Sequence, residues 1–265
     1  MVTGNQLVTK FKQLRLGGMT ETLELRLDQC QKQKLGYMEF LEMMLEDEIE
    51  RRNNKRMTVR LTRAHFEEQK TLEEFDFGFN PEIPSEKIRD LATCQFIERK
   101  ESVIICGPVG TGKTHLAQAL GHRACRQGYS VLYIKTQRLL ADLGGGMADG
   151  TLEKRLRRYI NEDLLILDDF GTKEFSEHQC ENLYELVNER YLKGSTIVVS
   201  NRAIKDWYQL FANLVLGESI LDRIVNSAHH IISKGRSYRP MLRPDNEKKQ
   251  DSKSQKRFEK SLSKK

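Results

Sequence analysis

Residues 103–114 read Val-Ile-Ile-Cys-Gly-Pro-Val-Gly-Thr-Gly-Lys-Thr, and the organisation of the chain can be inferred starting from them. The apolar run Val103–Cys106 has the composition of a buried strand, and the segment that follows has the spacing GxxxxGK[ST] ahead of a predicted helix. Glycines in such a bend let backbone N–H groups converge on phosphate oxygens, while the positive end of the helix faces the same anion. The stretch therefore predicts a strand, a phosphate-binding loop and a helix.

The polar side chains of this loop have separate expected roles. Lys113 would supply a positive charge toward the β- and γ-phosphates, and the Thr114 hydroxyl can ligate Mg²⁺. A tight strand–helix turn with an incidental lysine is the alternative, and the flanking strand and helix argue against it. We therefore expect ATP and Mg²⁺ as cofactors. The residues expected to bind the nucleotide are Gly107, Pro108, Val109, Gly110, Thr111, Gly112, Lys113 and Thr114.

A second apolar run, Leu164–Leu167, ends in two carboxylates, Asp168 and Asp169. A buried charge is costly unless it is paired or metal-bound, and Mg²⁺ is the natural partner at the end of a strand beside a phosphate loop. We expect Asp168 to hold the ion, mostly through its waters. Asp169 would orient and deprotonate the water that attacks the γ-phosphate.

A third polar position follows the run Thr196–Ser200, where Asn201 stands at the predicted strand end. Its amide can hydrogen-bond the γ-phosphate or the attacking water. Asparagine is also an ordinary turn former after a strand, and that interpretation stays open.

Short apolar runs alternate with helical patterns from residue 86 onward. Near-continuously apolar strands in such an alternation predict an α/β domain with a parallel sheet covered by helices on both faces. The triple glycine Gly144–Gly146, which precedes a basic stretch at 154–158, is interpreted as a flexible loop beside a basic helix. The other predicted strands are Val131–Ile134 and Ile231–Ile232, and the predicted helices lie near 114–127, 151–160, 176–193 and 216–227.

Residues 1–70 have apolar residues at helical spacing and are expected to form a small, all-helical N-terminal domain. Within it, residues 39–50 carry six acidic and no basic side chains, whereas residues 51–63 carry six basic and no acidic ones. A helical arginine stripe can follow a phosphate backbone by releasing counterions, or it can be a solvated face that pairs with acidic residues. The residues of this candidate DNA-binding face are Arg52, Lys55, Arg56, Arg60 and Arg63.

Charge and hydropathy exclude several classes of protein. No apolar run approaches the roughly 18 residues of a membrane span, and no secretory signal is recognisable, so we expect no membrane association and a cytoplasmic location. The five cysteines are scattered and form no CxxC pair, which argues against a disulfide framework.

Residues 246–265 carry eight basic and three acidic side chains, and we expect a disordered basic tail there, following an ATPase domain over 71–245.

Taken together, these motifs resemble the AAA+ ATPases, a class of P-loop NTPases, and among them the DnaC-like helicase loaders and IstB-like transposition helper proteins. The segments that carry the resemblance are GPVGTGKTHLAQAL, DLLILDDFG, VVSN, LDRI and GRSYR. The stretches RRNNKRMTVRLTR and FDFGFNP look more like the transposition helpers. The resemblance covers roughly 75–244, and little chain follows apart from the basic tail, so we expect the lid domain of the family to be absent or very short.

The resemblance also implies roles for individual residues. Lys113 and Thr114 match the Walker A positions, Asp168 and Asp169 match Walker B, and Asn201 matches sensor I. Arg223 is the candidate for an arginine that reaches the nucleotide of a neighbouring subunit. Of two candidates for the sensor II arginine, Arg239 matches better than Arg236.

The function that the resemblance implies is an ATP-hydrolysing helper of transposition. Such a protein assembles on duplex DNA into an oligomer or filament in an ATP-dependent way and recruits or stimulates a transposase. A replicative helicase loader is the principal alternative. A small-molecule kinase and an assembly module with a purely structural nucleotide are further ones.

Overall fold

The computed structural model describes residues 4–242, with side chains described from residue 6 to residue 241. The chain divides into two compact units, Met1–Thr62 and Arg63–Lys265. The boundary expected from the sequence lies later, after residue 70. The earlier division has a local cause, because the backbone carbonyl of Ala64 already accepts a hydrogen bond from Tyr133 N, at 2.8 Å, in the second unit. The expected basic tail at 246–265 lies outside the described residues.

The bounds of the helices and strands are as follows. The helices are α1 (Gly4–Gln13), α2 (Gly17–Gln33), α3 (Tyr37–Arg63), α4 (Ser85–Leu91), α5 (Gln95–Glu98), α6 (Lys113–Gln127), α7 (Thr136–Asp149), α8 (Leu152–Ile160), α9 (Glu177–Arg190) and α10 (Leu214–Asn226). The strands are β1 (Ser102–Cys106), β2 (Val131–Lys135), β3 (Leu164–Asp168), β4 (Ser195–Ser200) and β5 (Ala228–Ile232).

The first unit consists of the three helices α1 to α3 packed around a small core of Met19, Leu23 and Met44. Gly18 permits a close helix approach, since a Cβ at this position would lie 2.6 Å from the Asp47 carbonyl oxygen. α3 is a single helix that continues to Arg63 as the charge of the sequence changes from acidic to basic.

The second unit is built on a five-stranded sheet in the order β2-β3-β4-β1-β5, and all its strand pairs are parallel. Every residue of β1 and of β3 is buried, which is why these strands are almost uninterrupted apolar runs in the sequence. The sequence prediction of a parallel α/β sheet is confirmed. We call the side where the strands end the carboxyl edge and the side where they begin the amino edge.

The strand order determines which motifs meet at the carboxyl edge. β4 lies between β1 and β3, so the loop after Cys106, the carboxylate of Asp168 and the residue after Ser200 all emerge at this edge. A parallel sheet brings ligand-binding groups together at the carboxyl ends of its strands.

The prediction of a flexible loop at Gly144–Gly146 is wrong, because these residues lie inside α7. Glycine weakens a helix, but here tertiary packing requires one: a Cβ on Gly146 would lie 2.9 Å from the Cα of Leu152 in α8. Arg155 of α8 adds two ion pairs to α7, with Asp142 at 2.7 Å and Asp149 at 2.6 Å. These contacts hold a sequence with poor helix propensity in a helix.

Across residues 4–242, none of the helices has the length and apolar character that a bilayer-spanning segment needs.

Candidate nucleotide-binding site

The loop Gly107–Gly112 connects β1 to α6 in a conformation that depends on glycine. Gly110 and Gly112 have φ values of 82° and 90°, in the left-handed region that disfavours other residues. A Cβ on Gly110 would lie 2.2 Å from Ser237 Oγ, and one on Gly112 would lie 2.7 Å from a ring carbon of Phe75. Two segments distant in sequence therefore pack against the bend, at residues where a side chain would not fit.

Lys113 is the first residue of α6, and its side chain is 8% exposed. Its Nζ donates to the carbonyl oxygen of Pro108 at 2.7 Å, so the side chain folds back across the loop. Burial lowers the pKa of Lys113, while the negative charges of Asp168 and Asp169 act in the opposite direction. A phosphate oxygen that entered the loop would offer this desolvated ammonium a charged partner in place of a neutral carbonyl.

Asp168 ends β3 with a side chain that is almost fully buried, and its two oxygens have different donors. Oδ1 accepts the backbone N–H of Asp169 at 2.8 Å, and Oδ2 accepts the hydroxyl of Tyr133 at 2.7 Å. Asp169 is exposed and has a left-handed φ of 54°. Partial desolvation of the carboxylate, followed by the negative charge of Asp168, raises the pKa of Asp169.

Asn201 follows β4 directly and is exposed at the carboxyl edge. The strand end before it is tied to β3, because Ser200 Oγ donates to the Phe170 carbonyl at 2.8 Å and Phe170 N donates to the Val199 carbonyl at 2.8 Å. Its position after the strand between β1 and β3 brings Asn201 to the same edge as the loop and the two aspartates.

The segment after β5 returns to the phosphate loop. Tyr238 N donates to the Gly110 carbonyl at 2.8 Å, and the positive charge of Arg239 contributes to the lowered pKa of Lys113, after burial as the main cause. Arg236 contributes its backbone: its N–H donates to Asn80 Oδ1 at 3.0 Å, and its side chain is exposed. Of the two arginines, Arg239 is the one whose charge acts on the loop lysine.

Asn80 and Phe75 are site residues that sequence reasoning did not identify. Asn80 is 4% exposed, and its amide nitrogen lies 3.3 Å from the carbonyls of both Thr111 and Arg236, so it joins the phosphate loop to the segment after β5. The sequence FDFGFNP, which contains both residues, contributes to the family resemblance, but the sequence predicts no role at the nucleotide site for either residue. Its unusual density of aromatic residues was the available signal.

Arg223 lies at the opposite side of the sheet. It is near the end of α10, and Ser227, just after this helix, accepts a hydrogen bond from Ser102 N at the start of β1. Its guanidinium donates to the Ser219 carbonyl at 2.9 Å and lies 5.5 Å from the ring centroid of Tyr184. The phosphate loop follows the end of β1, and the two ends of this strand are about 13 Å apart at ~3.3 Å per residue. Arg223, which lies near the start of β1, is therefore distant from the phosphate loop of its own chain.

The oxygen atoms available at the carboxyl edge suit Mg²⁺ better than a metal ion that must be bound by protein ligands alone. No cluster of three or more His, Cys, Asp or Glu residues within 4–242 is suited to hold a metal. Mg²⁺ is usually bound through one or two protein oxygens together with water and substrate phosphates. The Asp168 carboxylate and the Thr114 hydroxyl are oxygen donors of this kind.

The candidate DNA-binding residues lie on the second half of α3. Arg52, Lys55, Arg56 and Arg63 are exposed, and Arg60 is half-buried. Arg52 Nε forms an ion pair with Glu48 one turn earlier, at 2.6 Å. A shallow groove on this helix is lined by Arg52, Lys55, Arg56, Val59 and Arg60.

Comparison with known proteins identifies the family. The sequence model described as "IstB-like ATP binding protein" matches residues 9–246. The chain belongs to the IstB-like ATP-binding protein family. A relative from Mycobacterium tuberculosis, named as a "Putative ATP-binding protein" of an insertion sequence, is 47% identical to this IstB-like chain. The alignment covers 235 residues, which are 88% of this chain and 94% of the relative. The "Insertion sequence IS21 putative ATP-binding protein" of Pseudomonas aeruginosa is 38% identical over 235 residues, 89% of each protein.

Solved structures support the same fold. The AMPPCP-bound DnaA of Aquifex aeolicus aligns with a TM-score of 0.54 and 25% identity over 63% of this chain and 51% of that one. DnaI aligns with a TM-score of 0.55 and 20% identity over 63% of this chain and 92% of that one. The IstB-like chain therefore has the AAA+ P-loop fold, and the family together with the AMPPCP-bound neighbour supports ATP binding.

Proposed function

We propose that this IstB-like protein is an ATP-hydrolysing, DNA-associated helper of insertion-sequence transposition, which assembles on duplex DNA with ATP and recruits or stimulates a transposase. One observation carries the proposal. The loop with Lys113, the pair Asp168–Asp169 and Asn201 stand on neighbouring parallel strands at one edge of the sheet. The names of the relatives, which refer to insertion sequences, support transposition as the setting.

In the proposed mechanism the loop residues Gly107–Thr114 bind the phosphates through backbone N–H groups and the start of α6. Lys113 neutralises charge on the β- and γ-phosphates, and Asn201 and Arg239 orient or neutralise the γ-phosphate from the same edge. Thr114 and Asp168 would hold Mg²⁺, which would neutralise the charge that develops on the phosphates.

Asp169 is the proposed base for the attacking water. Its exposed position at the end of β3 lets the carboxylate contact solvent, whereas the neighbouring Asp168 is buried and already accepts two hydrogen bonds. The two acids therefore have environments suited to different tasks, one holding the ion and the other taking a proton.

The position of Arg223 is the reason that we include self-association in the proposal. The guanidinium is at the amino edge, bonded to its own helix and lying over aromatic rings, with no carboxylate partner within the described part of the chain. In a head-to-tail assembly this cation can reach the γ-phosphate bound by a neighbouring subunit, which makes hydrolysis depend on assembly.

Duplex DNA is the proposed partner of the α3 face made by Arg52, Lys55, Arg56, Arg60 and Arg63. Each arginine or lysine that neutralises a phosphate releases a condensed counterion, so that binding weakens as salt rises. A helicase loader would also need ATP and DNA. Addition of the transposase from the same insertion sequence, compared with a replicative helicase, separates the two roles by which of them the protein binds.

The proposal is tested by ATP hydrolysis with and without duplex DNA, together with the salt dependence of DNA binding. Replacing Arg52, Arg56 and Arg60 with Gln should lower the slope of log affinity against log salt by about 2 to 3, at ~0.9 per lost phosphate contact. The control replaces Lys10, Lys12 and Lys34 with Gln, which removes the same charge from other parts of the N-terminal unit. An unchanged slope in the arginine variant would exclude this face as the DNA contact, and absence of ATP hydrolysis with and without DNA would refute the enzymatic role.

A further inference from the structure

The hydroxyl of Tyr133 is a polar group of the nucleotide site to which the proposed mechanism assigns no role. Tyr133 lies on β2, the edge strand next to β3, and its side chain is 4% exposed. A phenol that is buried to this extent needs a hydrogen-bond acceptor. Its hydroxyl donates to Asp168 Oδ2 at 2.7 Å.

A connector, defined as residues 64–71, passes along the outer side of β2 and contacts the same tyrosine. Its first residue, Ala64, accepts the Tyr133 backbone N–H, and the ring of Phe66 lies 6.4 Å from the Tyr133 ring. Glu67 of the connector forms an ion pair with Lys135 at 3.0 Å, and Glu67 Oε2 lies 3.5 Å from the Tyr133 hydroxyl.

The two carboxylates near the phenol are not equivalent acceptors. A phenol has one hydrogen to donate, and the distance of 2.7 Å to Asp168 is that of a strong hydrogen bond, whereas 3.5 Å to Glu67 is beyond the usual range. Glu67 already has Lys135 as a partner, while Oδ2 of the buried Asp168 has the phenol. The Tyr133 hydroxyl is therefore a hydrogen-bond donor to Asp168 and not to Glu67.

We propose that Tyr133 is a positioning residue, whose hydroxyl holds the Asp168 carboxylate in the orientation that receives hydrated Mg²⁺ beside the phosphate loop. The inference rests on the proposed function. The hydrogen bonds from Tyr133 and from Asp169 N fix both oxygens of Asp168, one from each side of the carboxylate. Each oxygen keeps a lone pair for the water shell of the ion, because a carboxylate offers about four acceptor sites.

The replacement Tyr133→Phe removes the hydroxyl and keeps the aromatic ring that lies beside Phe66. Partners of metal ligands typically change metal affinity about 10- to 100-fold when they are lost, and here water and phosphates share the ion, so we expect the lower end of that range. The Mg²⁺ concentration that gives half of the Mg²⁺-dependent gain in nucleotide affinity should rise about 10-fold, and kcat at a fixed, moderate Mg²⁺ concentration should fall.

The primary readout is binding and not turnover. The dissociation constant of a fluorescent ATP analogue is measured in EDTA and across a Mg²⁺ titration, with apo-protein unfolding followed by circular dichroism. For Tyr133→Phe, affinity in EDTA should match the wild type while the Mg²⁺ midpoint shifts. Tyr129→Phe is the matched control, since the Tyr129 hydroxyl donates to Glu98 at 2.9 Å, away from the site, and its Mg²⁺ midpoint should not change.

A second variant separates positioning of Asp168 from docking of the connector. Glu67→Gln weakens the Lys135 pair and leaves the Tyr133–Asp168 hydrogen bond intact, so the Mg²⁺ midpoint should stay within about twofold of the wild type. A shift in Glu67→Gln as large as in Tyr133→Phe would assign the effect to the connector and overturn the inference. An unshifted midpoint in Tyr133→Phe, with a wild type that responds to Mg²⁺, would overturn it and leave the proposed function intact. A wild type that binds no nucleotide would refute both.

Discussion

The two edges of the sheet differ in how many residues of the proposed nucleotide site a single chain places there. At the carboxyl edge, a single chain brings together the phosphate loop, Asp168, Asp169 and Asn201, and the segment with Arg239 packs on the loop. At the amino edge, the chain presents an arginine, Arg223, but none of the phosphate-binding elements. This difference is the basis of the proposal that one copy binds nucleotide by itself and that a second copy completes the hydrolytic site.

The amino edge itself contains two arginines with contrasting surroundings. Arg190 is 3% exposed, and its guanidinium donates to the carbonyls of Tyr159 and Glu162, each at 2.8 Å. Further acceptors of Arg190 are Ile160 O, Ser195 O and Thr196 Oγ1. Arg223 is only half-buried and donates to Ser219 of its own helix. Arg190 is therefore committed to joining strands and helices, whereas Arg223 can change partners.

The largest expected effect concerns Arg223 and hydrolysis. Arg223→Ala should lower kcat of the assembled protein about 10³-fold, the lower end of the range for an arginine supplied in trans. Its affinity for an ATP analogue, measured with dilute protein by fluorescence, should stay within about twofold of the wild type because the carboxyl edge is unchanged. Weakened nucleotide binding by the unassembled variant would contradict the division of labour between the edges.

Lys113→Ala tests the carboxyl edge in the same way. Loss of the desolvated ammonium should weaken ATP-analogue binding at least about 100-fold, since charge-assisted contacts to phosphate contribute about 1.5–3 kcal/mol each. Isothermal titration calorimetry in Mg²⁺ measures the change. Lys193→Ala, which removes an exposed lysine paired with Glu189, is the control and should bind as the wild type does.

A charge-conserving pair of substitutions separates the two arginines of the amino edge. Arg190→Lys should lower the free energy of unfolding by about 2–4 kcal/mol, because a lysine cannot reach all of the carbonyls and leaves buried acceptors unsatisfied. Arg223→Lys should change it by less than about 0.5 kcal/mol. Urea unfolding monitored by the fluorescence of Trp207, the single tryptophan, gives both values. Equal losses would show that Arg223 is structural as well.

The smallest effect distinguishes the two arginines after β5. Arg239→Ala should lower kcat about 10-fold, because its charge acts at the phosphate loop, and Arg236→Ala should lower it less than about threefold, because Arg236 contributes its backbone. Steady-state hydrolysis at saturating ATP measures both. A larger loss of kcat in the Arg236 variant would show that Arg236, and not Arg239, acts at the phosphate loop.

The sheet could be predicted from sequence because buried parallel strands need apolar residues on both faces, and Val103–Cys106 and Leu164–Leu167 satisfy this without interruption. The phosphate loop was recognisable because Gly110 and Gly112 adopt backbone angles that few other residues tolerate. Local rules of this kind act within a few residues, and the fold class followed from them.

The parts that escaped prediction depend on contacts between distant segments. The helix over Gly144–Gly146 exists because α8 packs against it, which no local propensity expresses. Asn80 reaches the loop through hydrogen bonds to residues far along the chain, and Tyr133 had the sequence character of an ordinary apolar strand residue. Arg190 and Arg223 are alike in sequence, and only their acceptors distinguish them.

The most direct test of the two-edge account mixes Arg223→Ala with Lys113→Ala subunits in equal amounts and measures ATP hydrolysis in the presence of DNA. Each variant alone should be nearly inactive. In a head-to-tail assembly, roughly a quarter of the interfaces would pair an intact loop with an intact Arg223, so hydrolysis should recover to about that fraction of the wild-type rate. Mixed assemblies that form, as checked by electron microscopy, and yet hydrolyse no faster than the separate variants would contradict the account.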